Sequence, residues 1–494
     1  MSENSSNISS KGLLVSIFKY SIATWANALI YGVALLLSAR LILPAEYSQV
    51  DIFISTATLI MNICILGLDQ SFIRFFNEPP KPLNKDSLFG ACFGLSSLAL
   101  IAVGIVSCVL FPKKVLGLFF TDPLDNYYLA LLFINAFMSM VGRYINILYR
   151  MDGDIKLYTI ESIANQFFSK LFYLVAVFFG ANFHNLVMRS VLGMTGFAIV
   201  FLMPNLSRVS LSPKILFSAA DKQILPYGLA LAPTAIMLYL NSLFSKVYIS
   251  KTIGKGPAGV FSMVSLLANV VALIQAGFAT FWSAFIYANY KTEQEKIKQV
   301  HDYLTFIIVE FFCVILAFED IIFIILGKNY QSGMAVFPIM VLVPIFSIIQ
   351  ETTVYGISIA KKPIYDTIGI ALSVISNIGF TVLLAPNFGL YGVCVALAGS
   401  NFVMFIFRTI VAQRFYVSII SPGRTGIVIT VMFALTGGGC VLSGNFMAKF
   451  ALSLVGMGVY VIIYRNQLKS ALAMAKEMLE DFKSKKPDFG GKND

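Results

Sequence analysis

Three basic residues lie within or at the margins of long apolar stretches of the sequence: Lys170, Arg189 and Lys246. A charge near the middle of a bilayer costs at least about 2.5–3.5 kcal/mol on insertion scales, so a basic residue without a role is not expected there. The pattern predicts a cationic patch inside a cavity, suited to a phosphate or an acidic sugar. Arg189 and Lys246 lie near the ends of their stretches, so their side chains could instead extend to the membrane interface.

A polar stripe marks the apolar segment from residue 49 to 70. Its members recur at helical spacing: Asp51, Ser55, Thr58 and Asn62. Because lipid does not tolerate such a stripe, it must face other helices or water. Comparable polar residues occur in other apolar segments: Thr24, Asn27, Tyr31, Asn165, Asn241 and Ser245. Such side chains also hydrogen-bond neighbouring helices, which is the alternative for each stripe, but together the stripes favour a water-filled interface.

Acidic residues within apolar segments are candidates for ion coupling or gating. Glu310, in IIVEFFCVIL, is the deepest by sequence. A transporter driven by an ion gradient needs a carboxylate whose occupancy differs between two states. A structural hydrogen bond or an ion pair is the alternative for Glu310. Asp69, with Gln70 and Arg74 at the end of the same segment, is expected to form a local polar cap or a gate pair.

The composition indicates a polytopic membrane protein without catalytic machinery. The 494 residues are 58% hydrophobic and 12% charged, whereas soluble domains carry about a quarter charged residues. Two histidines and six dispersed cysteines without a CxxC spacing argue against a metal site or disulfides. No nucleophile motif, Walker loop or zinc motif occurs, so we expect no cofactor and no direct use of ATP.

Hydropathy predicts an all-α protein with fourteen transmembrane helices of about 20 residues each. The predicted spans are 16–37, 49–70, 88–111, 126–147, 158–179, 185–204, 225–248, 258–286, 302–325, 334–356, 365–386, 388–410, 424–443 and 445–464. Most Lys and Arg fall in the loops on one side, which predicts that both termini are cytoplasmic. Lys449 is assigned to a loop on the opposite side. The net charge of +11 is thus a topology signal and does not indicate nucleic-acid binding.

A weak internal repeat predicts two six-helix halves in a parallel, pseudo-twofold arrangement. SARLILPAEYSQVDIF corresponds to ISKTIGKGPAGVFSM in the second half. The predicted organisation is a tail (1–15), a first lobe (16–204), an inter-lobe loop (205–224), a second lobe (225–410), two added helices (411–464) and an amphipathic helix with a tail (465–494). Two halves that meet at an interface are a common way to build an alternating-access site.

The segments RLILPAEYSQVDIFIS and GLDQSFIRFF resemble the polysaccharide transporter family, the Wzx-type O-antigen flippases of the MOP (MATE-like) exporter superfamily. SKVYISKTIGKGPAGVFSM and FATFWSAFIYANY extend this resemblance to the second half. It implies a monomeric flippase of the bacterial inner membrane that moves an undecaprenyl-pyrophosphate-linked oligosaccharide during O-antigen, exopolysaccharide or capsule synthesis. The glycan would cross a central cationic cavity while the polyprenyl tail stays in membrane lipid. A polysaccharide polymerase and a chain-length regulator would be partners.

Two departures from the family pattern bear on this expectation. Where relatives often have Asp-Arg, this chain has Ser245 and Lys246, which keeps the positive charge and loses the acid. Ser48 stands where relatives often have glycine. The several basic residues expected in the first span of lipid II flippases are missing as well, since Lys19 is alone between Lys11 and Arg40. The alternatives are a cation-coupled MATE-type drug exporter and a membrane-embedded polysaccharide-processing enzyme.

Overall fold

The computed structural model describes residues 10–209 and 223–469, together with Ser212 and Leu216. It describes side chains from Trp25 onward, apart from that of Thr280. Most of the predicted 1–15 tail, the side chain of Thr24, most of the 205–224 loop and nearly all of the 465–494 segment therefore lie outside the described residues. The described chain is 87% helix and has no strand.

The chain up to residue 209 forms the helices of the first half. They are α1 (Ser10–Leu41), α2 (Pro44–Ile65), α3 (Leu68–Phe75), α4 (Lys85–Leu110), α5 (Pro112–Phe119), α6 (Tyr127–Asp152), α7 (Ile155–Lys170) and α8 (Phe183–Leu202), with 3₁₀ helices at Phe172–Phe179 and Met203–Arg208. Local sequence fixes several of their starts. Pro44 occupies the first turn of α2, and Asn84 and Ser87 form a capping box for α4.

The chain from residue 223 to 469 forms the helices of the second half. They are α9 (Ile224–Thr252), α10 (Lys255–Asn269), α11 (Ala272–Asn289), α12 (Gln294–Leu326), α13 (Phe337–Glu351), α14 (Tyr355–Ile359), α15 (Ile364–Phe415), α16 (Pro422–Val441) and α17 (Phe446–Ile463), with a 3₁₀ helix at Lys328–Val336.

Several predicted spans are interrupted in the structure. The 49–70 span breaks at Leu66 and Gly67, which have φ of 57° and 69°. Here the backbone approaches α9, since a Cβ on Gly228 would lie 2.7 Å from the Leu66 carbonyl oxygen, so glycine is required. The 158–179 span changes to a 3₁₀ helix after α7, and the 258–286 span divides into α10 and α11. The apolar pattern continues through each break, so hydropathy does not reveal it.

The 52-residue α15 doubles back at Gly389, which has non-helical φ of 54° and ψ of −130°. Its two arms run antiparallel, because the rings of Tyr365 and Phe415 lie 5.9 Å apart. The turn lies at the boundary between the predicted spans 365–386 and 388–410.

Eleven helices of the described chain are long and apolar enough to cross a membrane. This number treats α15 as one helix although it folds back, and it omits both α1 and the 33-residue α12. The chain is a polytopic helical membrane protein. Fourteen spans in two six-helix lobes stay a prediction.

Helix α2 joins the two halves of the chain. It packs against α4, α6 and α8 on one side and against α9 and α10 on the other. At one end of the bundle, which we call the far end, Gly259 of α10 lies directly on the Pro44 backbone with no room for a Cβ. We call the opposite, arginine-rich end the basic end. There Gly67 contacts Gly228, and Ser71 donates a hydrogen bond to the Ile224 carbonyl oxygen at 2.8 Å. The halves therefore touch at both ends of the interface.

Candidate functional site

An ion pair joins the two halves across the α2–α9 interface, nearer its far end than its basic end. The Lys246 ammonium lies 2.8 Å from Oδ2 of Asp51 and donates a hydrogen bond to Oγ of Ser55 at 3.0 Å. The side chains of Lys246 and Asp51 are 12% and 19% exposed, so both remain in reach of water. The acid that the sequence lacks next to Lys246 is thus supplied by Asp51 of the polar stripe of α2. The Lys246 side chain does not extend to the membrane interface.

Lys170 is the third charge of this group, which we call the lysine cluster (Asp51, Lys170 and Lys246). It is the last residue of α7 and lies close enough to Asp51 and Lys246 to interact electrostatically with both. No described residue forms an ion pair or hydrogen bond with its ammonium. With two ammonium groups and one carboxylate, the cluster has a formal charge of +1.

A small cavity of about 50 Å³, the lysine cavity, adjoins this cluster. Its polar lining consists of Tyr31, Ser38, Tyr47, Asp51, Ser169, Lys170 and Tyr173. Tyr31 donates a hydrogen bond across the interface to the Leu266 carbonyl oxygen at 3.0 Å. The lysine cavity therefore brings together three of the predicted site residues from three helices.

A larger polar cavity of about 440 Å³, the basic-end cavity, lies within the first half. Its polar lining consists of Asn27, Gln70, Arg143, Asn146, Arg150, Ser162, Asn165 and Gln166. Asn27 donates to Oγ of Ser162 at 2.8 Å, and buried Glu161 accepts hydrogen bonds from Asn146 and Asn165. Most polar groups that line this cavity are thus amides and hydroxyls. The polar stripes of the sequence predicted only some of these residues.

A third cavity, of about 360 Å³, separates the halves at the basic end. We call it the interface cavity; Asn62 and Asp69 line it on one side and Asp366 on the other. Gln70 and Arg143 line both this cavity and the basic-end cavity, so the two adjoin. Polar space therefore extends from within the first half to the boundary between the halves.

Asp69 pairs with a different arginine from the one that the sequence suggested. Nε and Nη2 of Arg143 donate to Oδ2 of Asp69 at 2.9 and 2.5 Å. Arg74 instead lies over the ring of Phe75, at 5.6 Å from its centroid. Spacing on one helix favoured Arg74, whereas the packing of α6 against α3 brings Arg143 closer.

Other predicted site residues lie apart from the lysine cluster. The Arg189 guanidinium lies over the ring of Phe179, at 4.4 Å, and does not reach the cluster. Thr58 donates to a backbone carbonyl of its own helix. The Asn377 amide of α15 donates hydrogen bonds to Asn241 and to buried Ser245, at 2.8 and 3.1 Å, as the alternative of interhelical bonding predicts. Half-buried Glu310 has one carboxylate oxygen without a hydrogen-bond partner among the described residues.

A second ionic group, which we did not predict from the sequence, lies at the far end of the α12–α17 pair. Lys449, which we assigned to a loop, is fully buried one turn inside α17 and ion-paired with Asp320, beside Glu319. Adjacent acids within an apolar span were the available signal for it. Among the described residues, no group of three or more His, Cys, Asp or Glu side chains could hold a metal ion.

No protein-family model matches the chain, and no curated protein matches it in sequence. Solved structures do match it in three dimensions. The lipid II flippase MurJ, in an inward closed conformation, superposes with a TM-score of 0.67 at 13% identity and covers 91% of this chain and 99% of its own. The fold resembles that of a lipid II flippase.

Two further solved structures match over most of the chain. One, described as protein A, has a TM-score of 0.57 at 17% identity and covers 85% of this chain and 98% of its own. The other, a MATE in the straight conformation, has a TM-score of 0.47 at 16% identity and covers 81% of this chain and 95% of its own. At such identities these likenesses concern the fold, and the function has to be argued from the site.

Proposed function

We propose that the protein is an alternating-access flippase that moves an undecaprenyl-pyrophosphate-linked oligosaccharide across the bacterial inner membrane. One observation carries the proposal: Lys170, an ammonium without an ion-pair partner among the described residues, beside a cavity at the junction of the two halves. An uncompensated charge is costly within a membrane and is retained where it serves a ligand or an ion pathway. The ligand it suits is an anion.

A pyrophosphate fits the charge of the lysine cluster. Asp51 balances the charge of Lys246, whereas no residue of the cluster balances the charge of Lys170. An anion that enters the lysine cavity would balance it. Ammonium groups bind phosphate as compact point charges with three donors. The present cavity of about 50 Å³ is small, so the halves must separate to admit the headgroup.

The basic-end cavity supports a glycan as the second part of the substrate. Its volume of about 440 Å³ lies in the range of roughly 300–1,000 Å³ typical of ligand sites. Side-chain amides and hydroxyls both donate and accept hydrogen bonds, as sugar hydroxyls require. The polyprenyl tail would remain in lipid, as the sequence resemblance implies.

Backbone contacts at both ends of the interface support an alternating-access cycle. Opening at the basic end requires Gly67 to leave Gly228, and opening at the far end requires Gly259 to leave Pro44. We infer that the basic end faces the cytoplasm, since positive residues concentrate there. The membrane potential, worth about 2.3 kcal/mol per charge per 100 mV, could supply energy for the cycle.

Complementation tests this function directly. A strain that makes a surface polysaccharide but lacks its flippase receives the wild-type gene or the Lys170→Ala, Lys246→Ala or Arg189→Ala variant, with membrane levels checked by immunoblot. We expect the wild type to restore polymer, the first two variants to fail, and Arg189→Ala to work because it lies outside the lysine cluster.

Two outcomes would contradict the proposal. Full restoration by well-expressed Lys170→Ala would remove the anion-binding role of the cluster. Failure of the wild type with its matching polysaccharide genes, together with raised resistance to cationic dyes, would support the MATE-type exporter instead.

A further inference from the structure

Three ionisable side chains meet between α12 and α17, and we call them the carboxylate cluster (Glu319, Asp320 and Lys449). The Lys449 ammonium is ion-paired with Asp320 and lies 3.6 Å from Oε2 of Glu319, which is too long for a hydrogen bond. The side chains of Lys449 and Glu319 are 0% exposed, and that of Asp320 is 13% exposed. Among the described residues, Lys449 is an ion-pair partner of Glu319, but neither carboxylate oxygen of Glu319 has a hydrogen-bond partner.

With both acids ionised, the carboxylate cluster has a formal charge of −1. Lys449 is the only cation that pairs with either acid within the described residues. From the adjacent α16, Cys440 lies close enough to Glu319 to interact electrostatically, and Tyr391 and Cys394 of α15 lie in turn near Cys440. None of these neutral groups can balance a second carboxylate.

An uncompensated carboxylate in a dry interior is strongly unfavourable, so the excess charge must be removed. A metal ion suits the geometry poorly, because the ammonium already lies between the two carboxylates and the cluster offers too few ligands. One proton on Glu319 makes the cluster neutral. It also converts an acceptor without a partner into a carboxylic acid that can donate.

The cluster lies within reach of the far end. Asp320 is six residues before the end of α12 at Leu326, roughly 9 Å at a rise of 1.5 Å per residue. Lys449 is three residues after the start of α17 at Phe446. Asp320 is partly exposed and can take up a proton from the far side. Once Lys449 has given a proton to Glu319, its neutral amine can take that proton from Asp320, which restores the ammonium and the carboxylate.

We propose that Glu319 is a proton-binding site, loaded at neutral pH and exchanging with the far side of the membrane through Asp320 and Lys449. The site is separate from the lysine cluster and does not depend on the identity of the transported substrate.

Infrared difference spectroscopy of the full chain in lipid nanodiscs tests this site, because a protonated carboxyl has a C=O stretch that shifts on deuteration. We expect the wild type at neutral pH to show such a band from Glu319, which Glu319→Gln removes. Asp320→Asn should also remove it, because Glu319 would then ionise opposite Lys449 alone. Lys449→Met should add a second band, because no ammonium would remain to balance either acid.

Asp122→Asn is the matched control, since Asp122 is an exposed acid at the same end that pairs with Lys255. We expect it to leave the band unchanged. The proposal would be overturned if the spectra of Glu319→Gln and Asp320→Asn differed from the wild-type spectrum only by the loss of bands from ionised carboxylates. If Glu319→Gln does not fold, Asp320→Asn alone decides: loss of the protonated band supports the site, and its persistence contradicts it.

Discussion

The lysine cluster and the carboxylate cluster contain the same two kinds of group in opposite proportion. The first has two lysines and one acid, lies partly exposed beside a cavity and joins α2, α7 and α9. The second has two acids and one lysine, is almost wholly buried and joins α12 and α17. An excess charge beside a cavity can be balanced by a ligand as large as a pyrophosphate. An excess charge within packed helices can be balanced only by something as small as a proton.

The largest effect on stability is expected at the buried lysine. Lys449→Met leaves two acids without a cation, and breaking a buried ion pair from one side costs about 3–5 kcal/mol. Thermal unfolding of the purified protein measures the loss. The triple variant Glu319→Gln, Asp320→Asn, Lys449→Met should recover much of the stability, because no buried charge remains. If Lys449→Met unfolds at the wild-type temperature, the cluster is not dry.

A smaller loss is expected from Lys246→Met, on the order of 2 kcal/mol and thus below the range for fully buried pairs. The Asp51–Lys246 pair is partly exposed, and Lys170 is close enough to take over part of the role of Lys246. The double variant Lys170→Met, Lys246→Met should therefore lose more stability than the two single losses added together. Strictly additive losses of stability would show that Lys170 does not compensate for Lys246. The two clusters would then differ less in their response to the loss of a lysine than we infer.

The pH dependence of stability should also distinguish the clusters. If the folded protein holds a proton on Glu319 at neutral pH, the unfolded chain, whose Glu side chains titrate near 4.3, binds one proton fewer. The free energy of unfolding then falls as the pH rises, by up to about 1.4 kcal/mol per pH unit while that proton leaves. Melting curves from mildly acidic to alkaline pH should show this slope in the wild type and a flatter one in Glu319→Gln. An unchanged slope in that variant would assign the titration to another group.

Residue type and helical spacing were sufficient to predict the membrane class, the polar stripe of α2 and two lysines of the lysine cluster. Each of these depends on one segment and on the cost of placing polar groups in lipid. The partner of Lys246 could not be predicted, because Asp51 lies on a helix that is distant in sequence and only packing brings the two together.

Two errors have the same origin. Asp69 was assigned to Arg74 because the pair share a helix, yet α6 supplies Arg143. Lys449 was counted with a loop although the predicted 445–464 span contains it, because a position one turn from a helix start does not show whether a lysine side chain is exposed or buried; packing against α12 decides that. The break at Gly67 was missed because both sides of it are apolar. Its cause is the backbone contact with Gly228, which the local sequence does not contain.

The smallest effect on stability, and the sharpest test of the comparison, is expected from Lys170→Ala. No described residue pairs with this ammonium. Its removal relieves the cost of burial and the repulsion with Lys246 but loses an attraction to Asp51, so the unfolding free energy should change by no more than about 0.5 kcal/mol. Inorganic pyrophosphate should raise the unfolding temperature of the wild type and of the control Arg189→Ala, but not that of Lys170→Ala, since a ligand stabilises only the state that binds it. A variant that is as stable as the wild type but insensitive to pyrophosphate would identify Lys170 as a residue retained for its ligand. A large loss of stability would instead make Lys170 a structural member of the pair that joins α2 to α9.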